Sequence, residues 1–153
     1  MARHFMTYFG NVTLTTENPM TLAIIKAAAQ VRAVIRAIEV MPLGATAAQA
    51  SMLFDLATCT DWGTCVDAAA DLRKDLVAAA ETAQTTARKY DSAGAPTSPV
   101  VIEEFTLHMM AQRQWYSLGV NRELIIPGGT YIAFRKKDAT TGFAMRFNIR
   151  IEE

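Results

Sequence analysis

A strict alternation of apolar and polar side chains between residues 123 and 153 constrains the fold of this chain more than any other feature. Large apolar residues fill every second position near its end: Phe143, Met145, Phe147, Ile149 and Ile151. Successive side chains of a β-strand point to opposite faces, so this period of two places all five on one face. The IPGG sequence at 126–129 has the composition of a turn, and a second alternating segment follows it at 130–135. The pattern predicts a half-buried antiparallel hairpin formed by these two segments.

The composition of the chain limits the classes of protein to which it can belong. At 153 residues and 16.8 kDa, the chain is expected to form one domain with a sizeable core. Fifteen basic residues balance fifteen acidic ones, so charge gives no reason to expect a nucleic-acid or membrane partner, and near-neutrality suits a protein that assembles. No uncharged apolar run is long enough to span a membrane, and the start is too short and too polar for a signal peptide. The chain is therefore expected to be made and kept in the cytosol.

The sequence offers no set of residues for catalysis, a metal or a cofactor. Glu103 and Glu104 would point to opposite faces of one strand, so they cannot flank a substrate as a carboxylate pair. His108 has no Ser, Cys or Asp partner that the sequence identifies as a catalytic set. A zinc site needs four ligands, and His4 and His108 are too few and too scattered to complete one. We expect a protein that is not an enzyme and has no cofactor.

The sequence alone does not decide the structure of three features. A disulfide between Cys59 and Cys65 is geometrically possible, although two cysteines in a non-secreted chain are more often unpaired. Residues 66–80 are rich in Ala and Asp and fit either a helix or a loop with a helical turn. In the segment 20–41, the spacing of the apolar residues fits one long helix, whereas the abundance of Ile and Val favours strands.

Other segments have clearer patterns. Four segments are predicted to be strands from alternation or β-branched content: 11–16, 49–58, 81–90 and 100–110. Three segments are predicted to be breaks or loops from their Pro, Gly and polar residues: 41–44, 60–64 and 91–99. The basic run Arg135-Lys136-Lys137 is typical of a solvated turn, for which an acidic patch would be the functional partner.

Short motifs in a fixed order carry a resemblance to a known family. They are Thr21-Leu-x-Ile-Ile-Lys-Ala, Val31-Arg-Ala-Val-Ile-Arg-Ala-Ile-Glu-Val, Gly44-Ala-Thr, Ser51-Met-Leu-Phe-Asp-Leu, Trp62-Gly-Thr, Glu81-Thr-Ala-Gln-Thr-Thr-Ala, Leu118-Gly-Val-Asn-Arg-Glu, Ile126-Pro-Gly-Gly and Arg150-Ile-Glu-Glu. Together they resemble the small all-β virion structural proteins of tailed bacteriophages, most of all the capsid cement or decoration proteins. The resemblance spans about residues 19 to 153, and its motifs are signatures of turns and strand ends.

The resemblance implies an all-β fold: an antiparallel β-sandwich of jelly-roll type, with at most a short helix and with strands over 20–41. It implies a single sandwich domain at 19–153, preceded by an N-terminal arm at 1–18. A member of this family would form a homo-oligomer, a trimer to suit capsid symmetry axes, and would bind the major capsid protein across its subunits at the virion surface. The inner faces are expected to hold Leu22, Ile24, Val34, Ile38, Phe54, Leu56, Phe105, Leu107, Ile132, Phe134, Phe147 and Ile149.

Six aromatic residues are candidates for subunit contacts: Phe5, Tyr8, Phe9, Trp62, Trp115 and Tyr116. Trp and Tyr are enriched in interface cores, and Trp62 lies in a polar loop where a core role is hard to explain. Residues 1–10 have no sheet pattern of their own, and their aromatics would be a liability if exposed on a monomer. We therefore expect this arm to pack on a neighbouring subunit or on the shell.

Two other functions fit the same fold. A carbohydrate- or receptor-binding jelly roll would use Trp62, Trp115 and Tyr116 as stacking platforms in a groove. A head–tail connector or tail component would favour rings of sixfold symmetry. Burial of these aromatics against another chain would favour the structural role, and a concave site with a polar rim would favour ligand binding.

Overall fold

The regular structure of this protein is β-strand throughout the residues that the structure describes. The computed structural model describes residues 4–43, 51–64, 67–69, 71–74, 83–90, 94–108, 114–117, 123–138 and 144–153. Every regular element within these ranges is a strand, which confirms the all-β prediction and excludes the long helix considered for 20–41.

Thirteen strands within the described ranges form two antiparallel sheets of a β-sandwich. The seven-stranded sheet contains β1 (His4–Tyr8), β2 (Asn11–Thr13), β4 (Ala33–Leu43), β7 (Asp71–Lys74), β10 (Gln114–Ser117), β11 (Leu124–Ile126) and β13 (Ala144–Glu152). The six-stranded sheet contains β3 (Met20–Lys26), β5 (Met52–Cys59), β6 (Asp67–Ala69), β8 (Thr86–Tyr90), β9 (Val100–Leu107) and β12 (Tyr131–Lys136). The order is β10–β4–β13–β1–β7 in the larger sheet, with β11 beside β4 and β2 beside β13, and β6–β8–β3–β12–β5–β9 in the smaller one.

The predicted hairpin of the two last strands is wrong, because β12 and β13 lie in different sheets. β12 pairs with β3 and β5, whereas β13 pairs with β4, β1 and β2. Alternation identified both strands and the inner face of β13, where Met145, Phe147, Ile149 and Ile151 are buried; Phe143 lies outside the described residues. A period of two fixes which side chains share a face, but it does not fix which strand is the neighbour.

Three segments were left open or interpreted differently from the sequence. Every residue of β3 except Lys26 is buried. This continuous burial explains why the spacing of apolar residues in 20–41 fitted a helix as well as a strand. Within 66–80, the described residues form the short strands β6 and β7, so neither the helix nor the loop is observed there. The break predicted at 41–44 begins later than expected, since β4 continues through Pro42, which lies opposite Met145.

Two strands of the seven-stranded sheet, β1 and β2, lie within the predicted N-terminal arm at 1–18. β1 lies between β13 and β7, with Phe5 opposite Ile151, and the side chains of Phe5 and Phe9 are buried. Phe9 stacks on Phe147 with ring centroids 4.5 Å apart. The sequence showed no alternation in β1, because Phe5 and Met6 are consecutive and both are buried. A strand with neighbours in the sheet on both sides can bury residues on both faces. Phe5 and Phe9 are buried within this chain, and the expected contact of the arm with a neighbouring subunit stays a prediction.

All twelve residues predicted for the core are buried, but Ile24 and Val34 do not belong to the core between the sheets. The β3–β12 pairing slips between Phe134 and Arg135, which makes Leu22 an extra residue in β3. This β-bulge shifts the alternation, so Leu22 joins the core between the sheets while Ile24 packs on the outer face with Cys59. The question of a disulfide to Cys65 stays open, because Cys65 lies outside the described residues.

The basic run 135–137 is not a solvated turn. Arg135 and Lys136 are buried in β12, with exposed fractions of 5% and 0%. Arg135 donates two hydrogen bonds to the buried carboxylate of Asp55 on β5, Nε to Oδ1 at 2.8 Å and Nη2 to Oδ2 at 2.6 Å. Lys136 Nζ donates to the Thr15 carbonyl at 2.6 Å, and burial lowers the pKa of this amine. Buried charged side chains of β12 thus bond to Asp55 on the neighbouring strand β5 and to the backbone at Thr15.

Replacing Asp55 should strongly destabilise the fold. Asp55→Asn leaves the Arg135 guanidinium buried without its counter-charge, so we expect a loss of about 3–5 kcal/mol in the free energy of unfolding. Glu104→Gln is the matched control, because Glu104 pairs with Lys137 at the surface, and it should cost less than about 1 kcal/mol. Urea denaturation measures both. Equal losses in the two variants would contradict the assigned role of the buried pair.

Candidate interaction surface

One end of the six-stranded sheet brings together aromatic, cationic and exposed aliphatic side chains. β5 ends at Cys59 and β12 begins at Tyr131, and these two residues lie opposite each other. Thr58, one residue earlier, lies opposite Val100, where β9 begins. The loop after β5 therefore lies beside the first residues of both neighbouring strands. We call this region the Trp62 surface, defined as Lys26, Trp62, Arg88, Val100–Ile102 and Tyr131.

Two aromatic rings cover a small apolar cluster on the outer face of this sheet. The cluster consists of Ile24, Cys59 and Ala133, all buried, and the half-buried Trp62 and Tyr131 pack against it. The two rings meet edge to face, with centroids 5.1 Å apart and planes at 88°. Edge-to-face contacts of this kind are favourable beyond the area they bury. The apolar cluster and the Tyr131 ring thus hold one side of Trp62. This packing explains why a large aromatic residue occurs in a polar loop.

Two cations lie over these rings. The guanidinium carbon of Arg88 is 4.3 Å from the centroid of Trp62, and Lys26 Nζ is 5.0 Å from that of Tyr131. Both distances are within the range of cation–π attraction. Trp, Tyr and Arg are the residue types most enriched among the energetic centres of protein interfaces. The geometry therefore favours a contact surface for another protein.

The loop that carries Trp62 is clamped to the segment before β9. The backbone N–H of Thr64 donates to the Ala95 carbonyl at 3.1 Å. The Asp61 carboxylate accepts hydrogen bonds from the Thr97 hydroxyl and from the Gly63 N–H, the latter at 2.7 Å. These bonds, that of Thr97 first, lower the pKa of Asp61, because they favour its charged form. Fixing the loop before binding reduces the entropy that a partner must offset.

Strand β9 adds an exposed aliphatic strip to the surface. Val100 is 62% exposed, and Val101 and Ile102 are each 41% exposed. β9 is the last strand in the order of its sheet, and its pairing with β5 slips so that Ile102 is an extra residue. The bulge interrupts the ladder of backbone hydrogen bonds and turns consecutive side chains outward. It also makes the open edge of the sheet a poorer template for pairing with strands of other molecules. The three residues form an exposed aliphatic strip at the edge of the sheet.

The predicted interface aromatics do not form one site. Tyr116 stacks on Phe105 at a centroid distance of 3.9 Å, and its hydroxyl donates to Glu103 at 2.6 Å, where β10 approaches β9. Trp115 lies opposite Glu39 in the seven-stranded sheet, and Tyr8 lies in β1; their side chains are outside the described part of the structure. Of the six, Trp62 alone is placed on the Trp62 surface.

Sequence reasoning missed most of this surface. Arg88 and Tyr131 reach Trp62 only because strands distant in the chain are neighbours in the sheet. The aliphatic strip had a local signal, three consecutive β-branched residues at 100–102 followed by two glutamates. A strand with one solvated face would alternate there, so an unbroken run of this kind indicates an unusual environment.

Two kinds of site are not found among the described residues. Within those ranges, no three His, Cys, Asp or Glu side chains are grouped so as to hold a metal ion. The described ranges also contain no helix long and apolar enough to cross a membrane. Comparison of the sequence with known protein families and with curated proteins found no match to either.

Gly63 should be required for the shape of the loop. Its φ is +62°, and an added Cβ would lie 2.0 Å from the Ala95 carbonyl oxygen. Gly129 has a φ of +78°, but a Cβ added there would have no atom within 4 Å, so Gly129→Ala isolates the strain of a positive φ, about 1–2 kcal/mol. We expect Gly63→Ala to cost clearly more in urea denaturation, because its backbone clash adds to that strain. Equal costs would show that the loop is not clamped to residue 95.

Proposed function

We propose that this chain is a non-enzymatic structural protein of a bacteriophage virion, a capsid cement or decoration protein. It binds across neighbouring subunits of the major capsid protein at the capsid surface and stabilises the shell. The observation that carries the proposal is the Trp62 surface, a rigid aromatic and cationic centre beside three exposed aliphatic residues of β9. The resemblance of the sequence motifs supplies the type of particle.

Jelly-roll topology is part of the proposal and is supported by the strand order. Eight strands form two four-stranded runs, β1–β13–β4–β10 in one sheet and β3–β12–β5–β9 in the other. Numbered along the chain, these runs are 1-8-3-6 and 2-7-4-5, the arrangement expected when a long hairpin of four strand pairs rolls into a sandwich. Jelly rolls occur in viral capsid proteins and in lectins, so the topology agrees with the proposal without selecting it.

The mechanism is thermodynamic. A protein that binds only the assembled shell lowers the free energy of that state by mass action. Contacts repeated over a lattice, and between the copies of a homotrimer, add avidity, so that each Trp62 surface needs to contribute only modest affinity. Loop clamping and the burial of one face of Trp62 mean that little ordering is required when the partner arrives.

The geometry gives less support to a carbohydrate-binding module. A stacking platform needs an open ring face, but Arg88 lies over Trp62 and Phe105 covers a face of Tyr116. Trp62 packs on the outer face of the six-stranded sheet, whereas Tyr116 lies in β10 of the seven-stranded sheet, so they do not flank one groove. The contact surface is therefore the better basis for a function.

A charge placed in the aliphatic strip should prevent binding to the shell. We expect the wild-type chain and Val100→Lys both to have the mass of a trimer, three times 16.8 kDa, by light scattering after size exclusion, so that a loss of shell binding reports on the Trp62 surface alone. Ile125→Lys is the matched control, because Ile125 is a similarly exposed aliphatic residue on β11 of the other sheet, and this variant should keep the trimer mass.

A second arm of the experiment uses empty shells of the encoding phage. Wild-type protein and the Ile125→Lys variant should sediment with expanded shells, and Val100→Lys should stay in the supernatant. If Val100→Lys assembles and sediments like the wild type, the Trp62 surface is not the contact. If the wild-type chain is a monomer that ignores the shells, the cement function itself is wrong.

A further inference from the structure

Residues 94–99 connect the two parts of the Trp62 surface. The Thr60 N–H donates to the Thr97 carbonyl at 3.0 Å. Thr64 and Ala95 exchange two hydrogen bonds, from the Thr64 N–H to the Ala95 carbonyl at 3.1 Å and from the Ala95 N–H to the Thr64 hydroxyl at 3.3 Å. The same segment leads directly into β9. Its position therefore sets both the loop after β5 and the start of the aliphatic strip.

The backbone near the end of this segment is strained. Ser98 has a φ of +50°, in the left-handed region that residues other than glycine seldom occupy. A conformation of this kind persists only where the surrounding contacts determine it. Ser98 comes directly after Thr97, whose carbonyl is held by Thr60, and two residues before Val100. The contacts of residues 94–99 thus fix the direction in which the chain enters β9.

Glu17 holds the other end of the segment from outside the Trp62 surface. The Gly94 N–H donates to Glu17 Oε1 at 3.2 Å, and Glu17 lies between β2 and β3. The chain at Glu17 is itself tied to β12, because Lys136 Nζ donates to the Thr15 carbonyl at 2.6 Å. Burial lowers the pKa of Lys136, and the nearby carboxylates of Asp138 and Glu17 offset part of that lowering. Attraction to the buried amine therefore helps to keep the Glu17 carboxylate in place.

The orientation of Glu17 carries a cost that its bond to Gly94 explains. Its second oxygen, Oε2, is buried and accepts no hydrogen bond from any residue that the structure describes. A buried carboxylate oxygen without a donor is unfavourable, so a native structure that keeps one needs a reason for it. Holding the backbone at Gly94 supplies that reason.

We propose that Glu17 is a positioning residue of the Trp62 surface. It places residues 94–99 so that the loop after β5 and the aliphatic strip of β9 meet the partner in one fixed arrangement. This inference rests on the proposed function, because the partner is the capsid shell. A surface that is held in its binding arrangement before contact loses less entropy when the partner arrives.

Hydrogen exchange in the free chain tests the positioning role at the amides of Thr60 and Thr64. Glu17→Ala removes the anchor of residues 94–99, so we expect both amides to exchange about tenfold faster, the effect of losing a hydrogen bond to a charged group. Glu17→Gln keeps an oxygen acceptor and should restore exchange to within about threefold of wild type. The Ile149 amide, which donates to Thr7 in the other sheet at 2.8 Å, should not change.

Sedimentation with expanded shells measures the consequence for binding. Glu17→Ala should keep the trimer mass and bind the shells about fivefold or more weakly, because the binding arrangement is populated for a smaller fraction of the time. Glu123→Ala is the matched control, since it removes a half-buried carboxylate that bonds Arg36 in the other sheet, and it should bind like the wild type.

The two measurements separate failure of this inference from failure of the cement function. Unchanged exchange at Thr60 and Thr64 in Glu17→Ala would overturn the positioning role. Equal acceleration at Ile149, or wild-type binding of this variant to shells, would do the same. If the wild-type chain itself ignores the shells, the cement function is wrong, and exchange in the free chain decides the role of Glu17 by itself.

Discussion

A continuous set of aromatic contacts between the sheets is the interaction on which the rest of this structure depends. Its members are Phe9, Phe54, Phe105, Tyr116, Phe134 and Phe147, with ring centroids 3.9–6.2 Å apart. Phe134 of one sheet meets Phe147 of the other at 5.4 Å, and Phe105 meets Tyr116 across the sandwich at 3.9 Å. These contacts add to the hydrophobic stabilisation of the rings themselves. They fix the two sheets relative to each other and leave the outer faces and edges available for function.

The surface features considered for function lie near β-bulges, where an extra residue interrupts the pairing of two strands. The bulge at Leu22 turns Ile24 outward, beneath Trp62. The bulge at Arg36 interrupts the pairing of β4 with β13, and the bulge at Ile102 lies in the exposed start of β9. Each extra residue costs ladder hydrogen bonds and shifts the alternation of its strand, and the aromatic core supplies the rigidity that makes this tolerable. One well-packed interior thus supports distinct surfaces.

The sequence predicted strands better than it predicted their neighbours. Periodicity located β12 and β13 and ten of the twelve proposed core residues, because burial of one face leaves a local pattern. It missed the placement of the two strands in opposite sheets, and it missed the strand at Phe5, because pairing between distant segments leaves no local period. The partner of Arg135, eighty residues earlier in the chain, was equally invisible. Trp62 was identified from its polar loop, but Arg88 and Tyr131 join it only through sheet register.

The central claim is that this chain binds the capsid shell through the Trp62 surface, and hydrogen–deuterium exchange tests it most directly. Amide exchange is compared between the free chain and the chain bound to shells, because exchange rates report local opening and burial. The account predicts strong added protection at residues 60–64 and 100–103, with little change at strand β11 of the other sheet. Unchanged exchange at 60–64 and 100–103, together with new protection elsewhere on the chain, would contradict it.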